Sequence, residues 1–268
     1  MTPYTADTPL HTRSSLAADL QRAGLRPSMH VIVHSSLRQI GGWVCGGAEA
    51  VVLALMDVIT PKGTLLMPTF TTHNTDPRHW HQPPVPAEWW PVIRDQMPAY
   101  DPQRSASHKM GAIVEAFRTF PQVRRSGHPI LSFAAWGQHA EALLQPTPLD
   151  AGFGEESPLA RLYALDGAVF LLGVGHSKNT AMHLAEHRTR RPKVRVSEGC
   201  AMLVEGQRQW VEFVEIDYDD TPFEQIGRDY EAQHGVRMGR VGAASTRLMP
   251  IRSLVDFAAR WLDAAYTA

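Results

Sequence analysis

Cysteine is scarce: Cys45 and Cys200 are the only two in 268 residues. Two cysteines cannot build the disulfide framework of a small secreted domain, and such sparing use suits a reducing compartment. Neither charge dominates, since 26 Lys and Arg stand against 27 Asp and Glu. A nucleic-acid binder usually carries a dominant basic face, so this balance argues against nucleic acid as a partner. No stretch approaches the ~20 consecutive apolar residues that a membrane-spanning helix needs. The segment from Met1 to Thr12 has no apolar core of the kind a secretion signal requires. The expectation is a protein of the bacterial cytoplasm, without membrane partners. Repeats and linkers are also missing, so residues 1–268 are expected to form one domain, large enough to bury a core without disulfide or metal staples.

What the chain does have is alternation of short apolar runs with amphipathic stretches. Ser14 to Ala23 has apolar residues at helical spacing and stops at Gly24. Met29 to Val33, Thr64 to Met67 and Ala168 to Leu172 are too short for helices and read as buried strands. Between the first two lies a helical stretch, Ala48 to Ile59, closed by Pro61-Lys62-Gly63. Strand, helix, strand in that order predicts a parallel pair with the helix outside. A helix over Ala112 to Phe120 and a strand over Leu131 to Ala135 follow, and Ser157-Pro158 caps a short helix. Cys200 to Val204 and Trp210 to Ile216 alternate about Glu205-Gly206-Gln207, a hairpin pattern. Thr221-Pro222-Phe223-Glu224 has the form of a capping box, and Arg252 to Tyr266 reads as a closing amphipathic helix. The predicted fold is a single α/β/α sandwich with a mixed, partly parallel central sheet. Residues 73–102, rich in Trp, Pro and His and without a regular period, interrupt it as a lid or pocket wall.

In open sheets of this class, ligands sit beyond the carboxyl ends of the parallel strands. That rule nominates His34, Ser35, Ser36, Thr69 and His176 as rim residues. Gly173-Val174-Gly175 lacks the third glycine of a dinucleotide loop and reads as a tight turn. The helix expected near Thr180, capped by Asn179 or Thr180, carries His183 and Glu186 three residues apart. That spacing places both on one face, where a carboxylate can orient an imidazole that accepts protons. Spacing alone admits two other readings. One is a solvated helix face continuing to Arg190. The other is a zinc hydrolase site, because His183-x-x-Glu186-His187 matches an inverted zinc-peptidase pattern. His73, His79 and His81 are further candidate metal ligands that would need partners from elsewhere. The basic loop Arg124 to Pro129 can neutralise an anion or simply turn in solvent.

Four ordered blocks narrow these choices: HSSLRQIGG (His34–Gly42), GTLLMPTFT (Gly63–Thr71), RRSGHPILSFAAWG (Arg124–Gly137) and ESPLARLYALDGAVFLLGVGHSKNTAMHLAE (Glu156–Glu186). With them the chain resembles the aminoglycoside 3-N-acetyltransferases, a family distinct from the GCN5-related acetyltransferases. The resemblance implies the α/β/α sandwich, acetyl-CoA as co-substrate without a metal, and transfer to the 3-amino group of a 2-deoxystreptamine antibiotic, apramycin among those to be tried. It implies His183 and Glu186 as the catalytic pair, with His34 beside them, either touching the reactants or packing at its strand end. It places the donor near Ser35, Ser36, Thr69, Arg125, Ser126 and His128. A polycationic acceptor calls for carboxylates and ring-stacking surfaces, for which Asp76, Trp80, Trp90 and Glu224 are the candidates, with the acidic run Glu215 to Asp220 as a long-range attractor. Within the same enzyme class, the acceptor could instead be an amine that is not an antibiotic.

Overall fold

The computed structural model describes residues 4–267. In chain order its elements are β1 (Leu10–His11), α1 (Arg13–Ala23), β2 (His30–Ser35), α2 (Leu37–Ile40), β3 (Trp43–Val44), α3 (Gly47–Ile59), β4 (Thr64–Pro68), α4 (Trp90–Gln96), α5 (Ala112–Phe117) and β5 (Arg124–Arg125). There follow β6 (Phe133–Gly137), α6 (Ala140–Leu143), α7 (Pro158–Ala164), β7 (Ala168–Leu172), α8 (His183–Arg188), β8 (Arg195–Val204), β9 (Gln207–Ile216), α9 (Phe223–Gln233), β10 (Arg237–Val241), β11 (Ala244–Pro250) and α10 (Ile251–Thr267).

Seven strands form the main sheet in the order β10-β11-β7-β2-β4-β6-β5. Only β7, β2 and β4 run parallel; every other neighbour pair is antiparallel. The mixed sheet follows from chain economy: the parallel neighbours β2 and β4 are joined through α3, whereas β10 and β11 need only a tight turn. Side chains alternate across β2. Val31 and Val33 enter one apolar core with α1 and α3, and Ile32 enters the other with α8, α9 and α10. The period of two therefore aims His34 toward the layer that carries α8.

The predicted strands at β2, β4 and β7 fall within two residues of their observed positions, because each is apolar, short and bounded by turn residues. The antiparallel pair β10–β11 was not anticipated. Arg237, Met238 and Arg240 are exposed on this edge, so the strand lacks the apolar alternation that identifies its neighbours. The hairpin β8–β9 is longer than its apolar part suggests, and it stands as a sheet of its own. Glu205 and Gly206 both have positive φ, 51° and 79°, the geometry of a two-residue type I′ turn.

Residues 73–102 fold as short 3-10 turns and α4, laid against this hairpin. Asn74 exchanges two hydrogen bonds with the backbone of Ala201, and Tyr100 N–H donates to Ala201 O. The expected capping box at Thr221 does not form. Pro222 is the N-cap of α9, and Glu224 instead accepts from the Ser177 N–H, 3.1 Å away.

That last contact belongs to a tight seam in which α9 packs on the loop after β7. His176 is buried there, with its Nε2 2.8 Å from Glu231 Oε1. A Cβ on Gly227 would lie 1.9 Å from Cγ of the His176 ring. In an exposed helix Gly→Ala stabilises by about 1 kcal/mol. Here overpacking reverses the sign, and Gly227→Ala is expected to destabilise by about 1–3 kcal/mol, read as a lower urea midpoint.

Candidate active site

At the carboxyl ends of β2 and β7 the chain leaves the sheet in different directions, and a cleft of about 890 Å³ opens between the two loops. His34, Ser35 and Ser36 contribute from β2, Ser177 to Thr180 from the loop after β7, and His183 from the start of α8. A 3-10 turn over Thr180–Met182 runs directly into α8, which sets His183 at the helix entrance.

His183 Nδ1 lies 2.5 Å from Glu186 Oε2. Glu186 is 1% exposed, and its other oxygen accepts from the Asp219 N–H at 2.9 Å. A carboxylate acceptor at Nδ1 keeps the proton there, which leaves the Nε2 lone pair as the basic end of the ring. The plane of the ring is fixed as firmly. Phe153 stacks on it at 4.5 Å and 5°, while Tyr218 and Phe223 meet it at 5.3 Å and 4.8 Å with steep tilts. Tyr218 is itself anchored: its hydroxyl lies 3.0 Å from Glu215 Oε1, 2.8 Å from His187 Nε2, and 3.3 Å from the Phe153 N–H. Burial, reinforced by the Glu215 carboxyl, pushes the Tyr218 hydroxyl above its ordinary range, so it stays protonated.

His34 is buried beside this group. Burial, with the neighbouring His183 acting in the same sense, pushes its imidazole down to about 3, so the ring is neutral at pH 7. Its Nε2 has no hydrogen-bond partner, and neither has the Ser35 hydroxyl. Charge is unevenly distributed around the cleft. Arg38, Lys109 and Lys178 line it, and Asp220 is its acidic wall residue. Asp217 and Asp219 line a neighbouring cavity of about 460 Å³ that reaches Glu186 from behind.

This geometry has close counterparts. The family model described as aminoglycoside 3-N-acetyltransferase matches residues 32–263. The chain is 45% identical, over 93% of its length and 92% of the relative's, to the SPbeta prophage-derived aminoglycoside N(3')-acetyltransferase-like protein YokD of Bacillus subtilis (strain 168). It is 35% identical to aminoglycoside N(3)-acetyltransferase III of Pseudomonas aeruginosa, over 96% of this chain and 95% of that one. The chain belongs to the aminoglycoside 3-N-acetyltransferase family. It is therefore an acyltransferase, with acetyl-CoA as co-substrate.

Solved structures agree with the family. The crystal structure of YokD superposes with a TM-score of 0.94 at 43% identity, over 97% of this chain and 96% of that one. A CoASH-bound AAC-IIIb gives 0.85 at 31% identity, over 96% and 98%. AAC-VIa bound to sisomicin gives 0.86 at 33% identity, over the full length of both.

The other residues nominated from sequence are placed differently. Thr69, Arg125 and Ser126 lie outside the cleft walls. The Arg125 guanidinium donates to Thr69 Oγ1 and O, to Ser132 Oγ and to Ser105 O, and so fastens β4 to the chain around β5. Ser126 Oγ accepts from the Phe133 N–H. His128 is buried and accepts from the Ile130 and Leu131 N–H groups through Nδ1. Asp76 is 0% exposed, with Arg78 and Arg94 paired to its two oxygens at 3.0 and 2.9 Å. Burial alone would raise its carboxyl, but the bonds from Arg94 and Arg78 outweigh that and hold it below the usual range. Its charge is neutralised internally, so it is not directed at a ligand in the cleft. Trp80 donates to Thr75 Oγ1, and Trp90 packs near the Arg94 guanidinium; neither lines the cleft. Glu224 reaches its rim only through Ser177. The zinc-hydrolase pattern is pulled apart: Glu186 holds His183, His187 faces Tyr218, and no group of three or more His, Cys, Asp or Glu among the described residues is arranged to hold a metal.

Phe153, Tyr218, Phe223 and the three cleft cations were not singled out from sequence. Phe153 had a usable signal, an aromatic ring between Gly152 and Gly154 in a loop, where packing alone gives little reason for one.

Burial pushes His128 down to about 4. Its folded value is thus below its unfolded value of ~6.5, so as pH falls below 6.5 the unfolded chain binds the proton first and stability is lost. His128→Asn keeps an acceptor for the two N–H groups and removes the titration. Between pH 7 and 5 the variant should lose about 2 kcal/mol less stability than the parent, measured by urea unfolding at each pH.

Proposed function

We propose that the protein transfers the acetyl group of acetyl-CoA to the 3-amino group of a 2-deoxystreptamine aminoglycoside, with His183 as general base. The observation that carries this reading is the His183–Glu186 pair. Its Nδ1 is occupied by a buried carboxylate, its ring is clamped by three aromatic side chains, and the residue lines the cleft.

A protonated amine has no lone pair for attack, so His183 Nε2 must take the proton from the acceptor nitrogen. The nitrogen then forms a bond to the thioester carbon, the carbonyl electron pair moves onto oxygen, and the return of that pair breaks the C–S bond. The departing sulfur takes the proton held by the imidazolium. The nitrogen, which still carries two hydrogens, gives one to the freed Nε2 and on to water, so that the products are the neutral amide, the free thiol and one proton. Glu186 stabilises the transient positive ring, and the Asp219 N–H keeps the carboxylate aimed.

The walls fit the two reactants. Arg38, Lys109 and Lys178 suit the phosphates of the donor, and the unpartnered Ser35 hydroxyl and His34 Nε2 suit its polar arm or thioester. Asp217, Asp219 and Asp220 suit a polycation on the opposite side. A CoASH-bound and a sisomicin-bound relative support both assignments. Acetylation removes one positive charge and adds bulk, which weakens drug binding to ribosomal RNA and gives resistance.

The test is release of free CoA thiol with acetyl-CoA and a panel of aminoglycosides that includes sisomicin, gentamicin and apramycin. Release is expected only when donor and drug are both present, and it should be indifferent to a zinc chelator. His183→Ala should lower kcat by about 100- to 10,000-fold with the fold intact. Undiminished turnover in that variant would remove the general base from the mechanism, and turnover restricted to amines outside this drug class would reassign the acceptor.

A further inference from the structure

Asn179 ends the loop that follows β7, four residues before His183. Its backbone is fully engaged: the N–H donates to His176 O and the carbonyl accepts from the Met182 N–H. Its side chain is not. Asn179 is 0% exposed, lines the cleft, and has no partner for either Oδ1 or Nδ2. A buried carboxamide normally earns its place by bonding the backbone or capping a helix, and leaving such a group unpaired costs about 1–3 kcal/mol. The capping role that its position suggests is not made, since no side-chain bond runs to the turn over Thr180–Met182.

Two further buried polar atoms without partners, His34 Nε2 and Ser35 Oγ, belong to residues of the same cleft. Only ten such side-chain atoms occur among the described residues, and four of them belong to residues that line this cleft. Trp90, His128, His176, Trp210, His234 and Thr246 supply the others, one each, and none of these lines the cleft. The concentration of unpaired groups in one cleft points to a ligand that completes them. Asn179 Nδ2, Ser35 Oγ and His34 Nε2 can each present an N–H or O–H, and the alternation along β2 puts His34, not Ser35, on the face toward α8.

We propose that Asn179 is a catalytic residue that donates its Nδ2–H to the thioester oxygen as negative charge develops there, with His34 Nε2, on the face of β2 that looks toward α8, as the second donor. This rests on the acetyl-transfer reading above and adds a named electrophilic partner for its base. When the N–C bond forms, the carbonyl pair resides on that oxygen; the two donors hold it until the C–S bond breaks. Neither carries a formal charge. His34 stays neutral because burial disfavours its imidazolium, so it presents one ring N–H without adding a cation next to the imidazolium forming at His183. Fixed neutral dipoles in a water-poor wall need no reorganisation when the charge appears. Asn179 Oδ1 remains available to accept an N–H from the incoming amine.

Asn179→Ala and Asn179→Asp distinguish this role from structural and from simple binding roles. For Asn179→Ala, kcat is expected to fall about 100-fold, with KM for acetyl-CoA and calorimetric Kd for free CoA within about threefold of the parent. The variant should melt within about 4 °C of the parent, because the deleted amide bonds nothing in the protein. Asn179→Asp places a negative charge against the developing oxyanion and should lower kcat at least as far. A raised Kd for free CoA with unchanged kcat would make Asn179 a binder of the donor arm and overturn the proposal. So would a lost fold, or kcat within about threefold of the parent. Absence of thiol release from the unaltered protein with every aminoglycoside would sink the acetyl-transfer reading itself, whereas full activity in Asn179→Ala sinks the Asn179 donor alone.

Discussion

The site depends on a carboxylate that is almost entirely out of water. Two donors meet the two oxygens of Glu186, His183 Nδ1 on one and the Asp219 N–H on the other, and the Arg191 guanidinium stands 3.9 Å from the second. Without both, burying a carboxylate would cost several kcal/mol. This requirement reaches outward through the fold. Asp219 lies after β9, so the end of the hairpin must approach α8. The same stretch brings Tyr218 against Phe153 and His183. One buried charge thus ties together the loop after β7, the exit from β9 and the loop around Gly152.

The second dependence is positional. β2 lies between β4 and β7 in the parallel centre of the sheet, and its neighbours lead away on opposite sides. The crevice this creates is a property of strand order, filled with chemistry by whichever residues stand at the strand ends. His34 and Ser35 stand at one, Asn179 and His183 beyond the other. Their convergence follows from two loops only, which explains how residues 149 positions apart in number come to share one small wall.

Much of this was legible in the residues themselves. The three parallel strands announce themselves as short β-branched or leucine-rich runs between turns, and α3 by its apolar spacing. His183 and Glu186 could be paired from their three-residue interval, although that interval did not separate a base from a zinc ligand or a solvated stripe; only the resemblance carried by the ordered family blocks favoured the base. The remainder was hidden for physical reasons. β10 is an exposed edge strand with arginines in place of apolar alternation. Asp76 has the side chain of a cation binder, and only the fold brings Arg78 and Arg94 onto it. Trp80 and Trp90 are as suited to stacking on a sugar as to packing on a hairpin, and sequence carries no sign of which surface they will meet. Asn179 read as a helix cap; that its amide bonds nothing in the protein is a fact of three dimensions.

The hairpin β8–β9 shares no ladder hydrogen bonds with the main sheet, and its companion segment, residues 73–102, is fastened to it through Asn74, His79 and Asp76. Asn74, Tyr100 and Glu215 bond it to Pro129, Ser126 and Gly152, outside the parallel strands, so its length, twist or composition can change without altering the register of β2 and β7. Drift in the distal part of the lobe is in that sense heritable apart from the His183–Glu186 pair, provided the exit of β9, which carries Glu215, Tyr218 and Asp219, keeps its place against them.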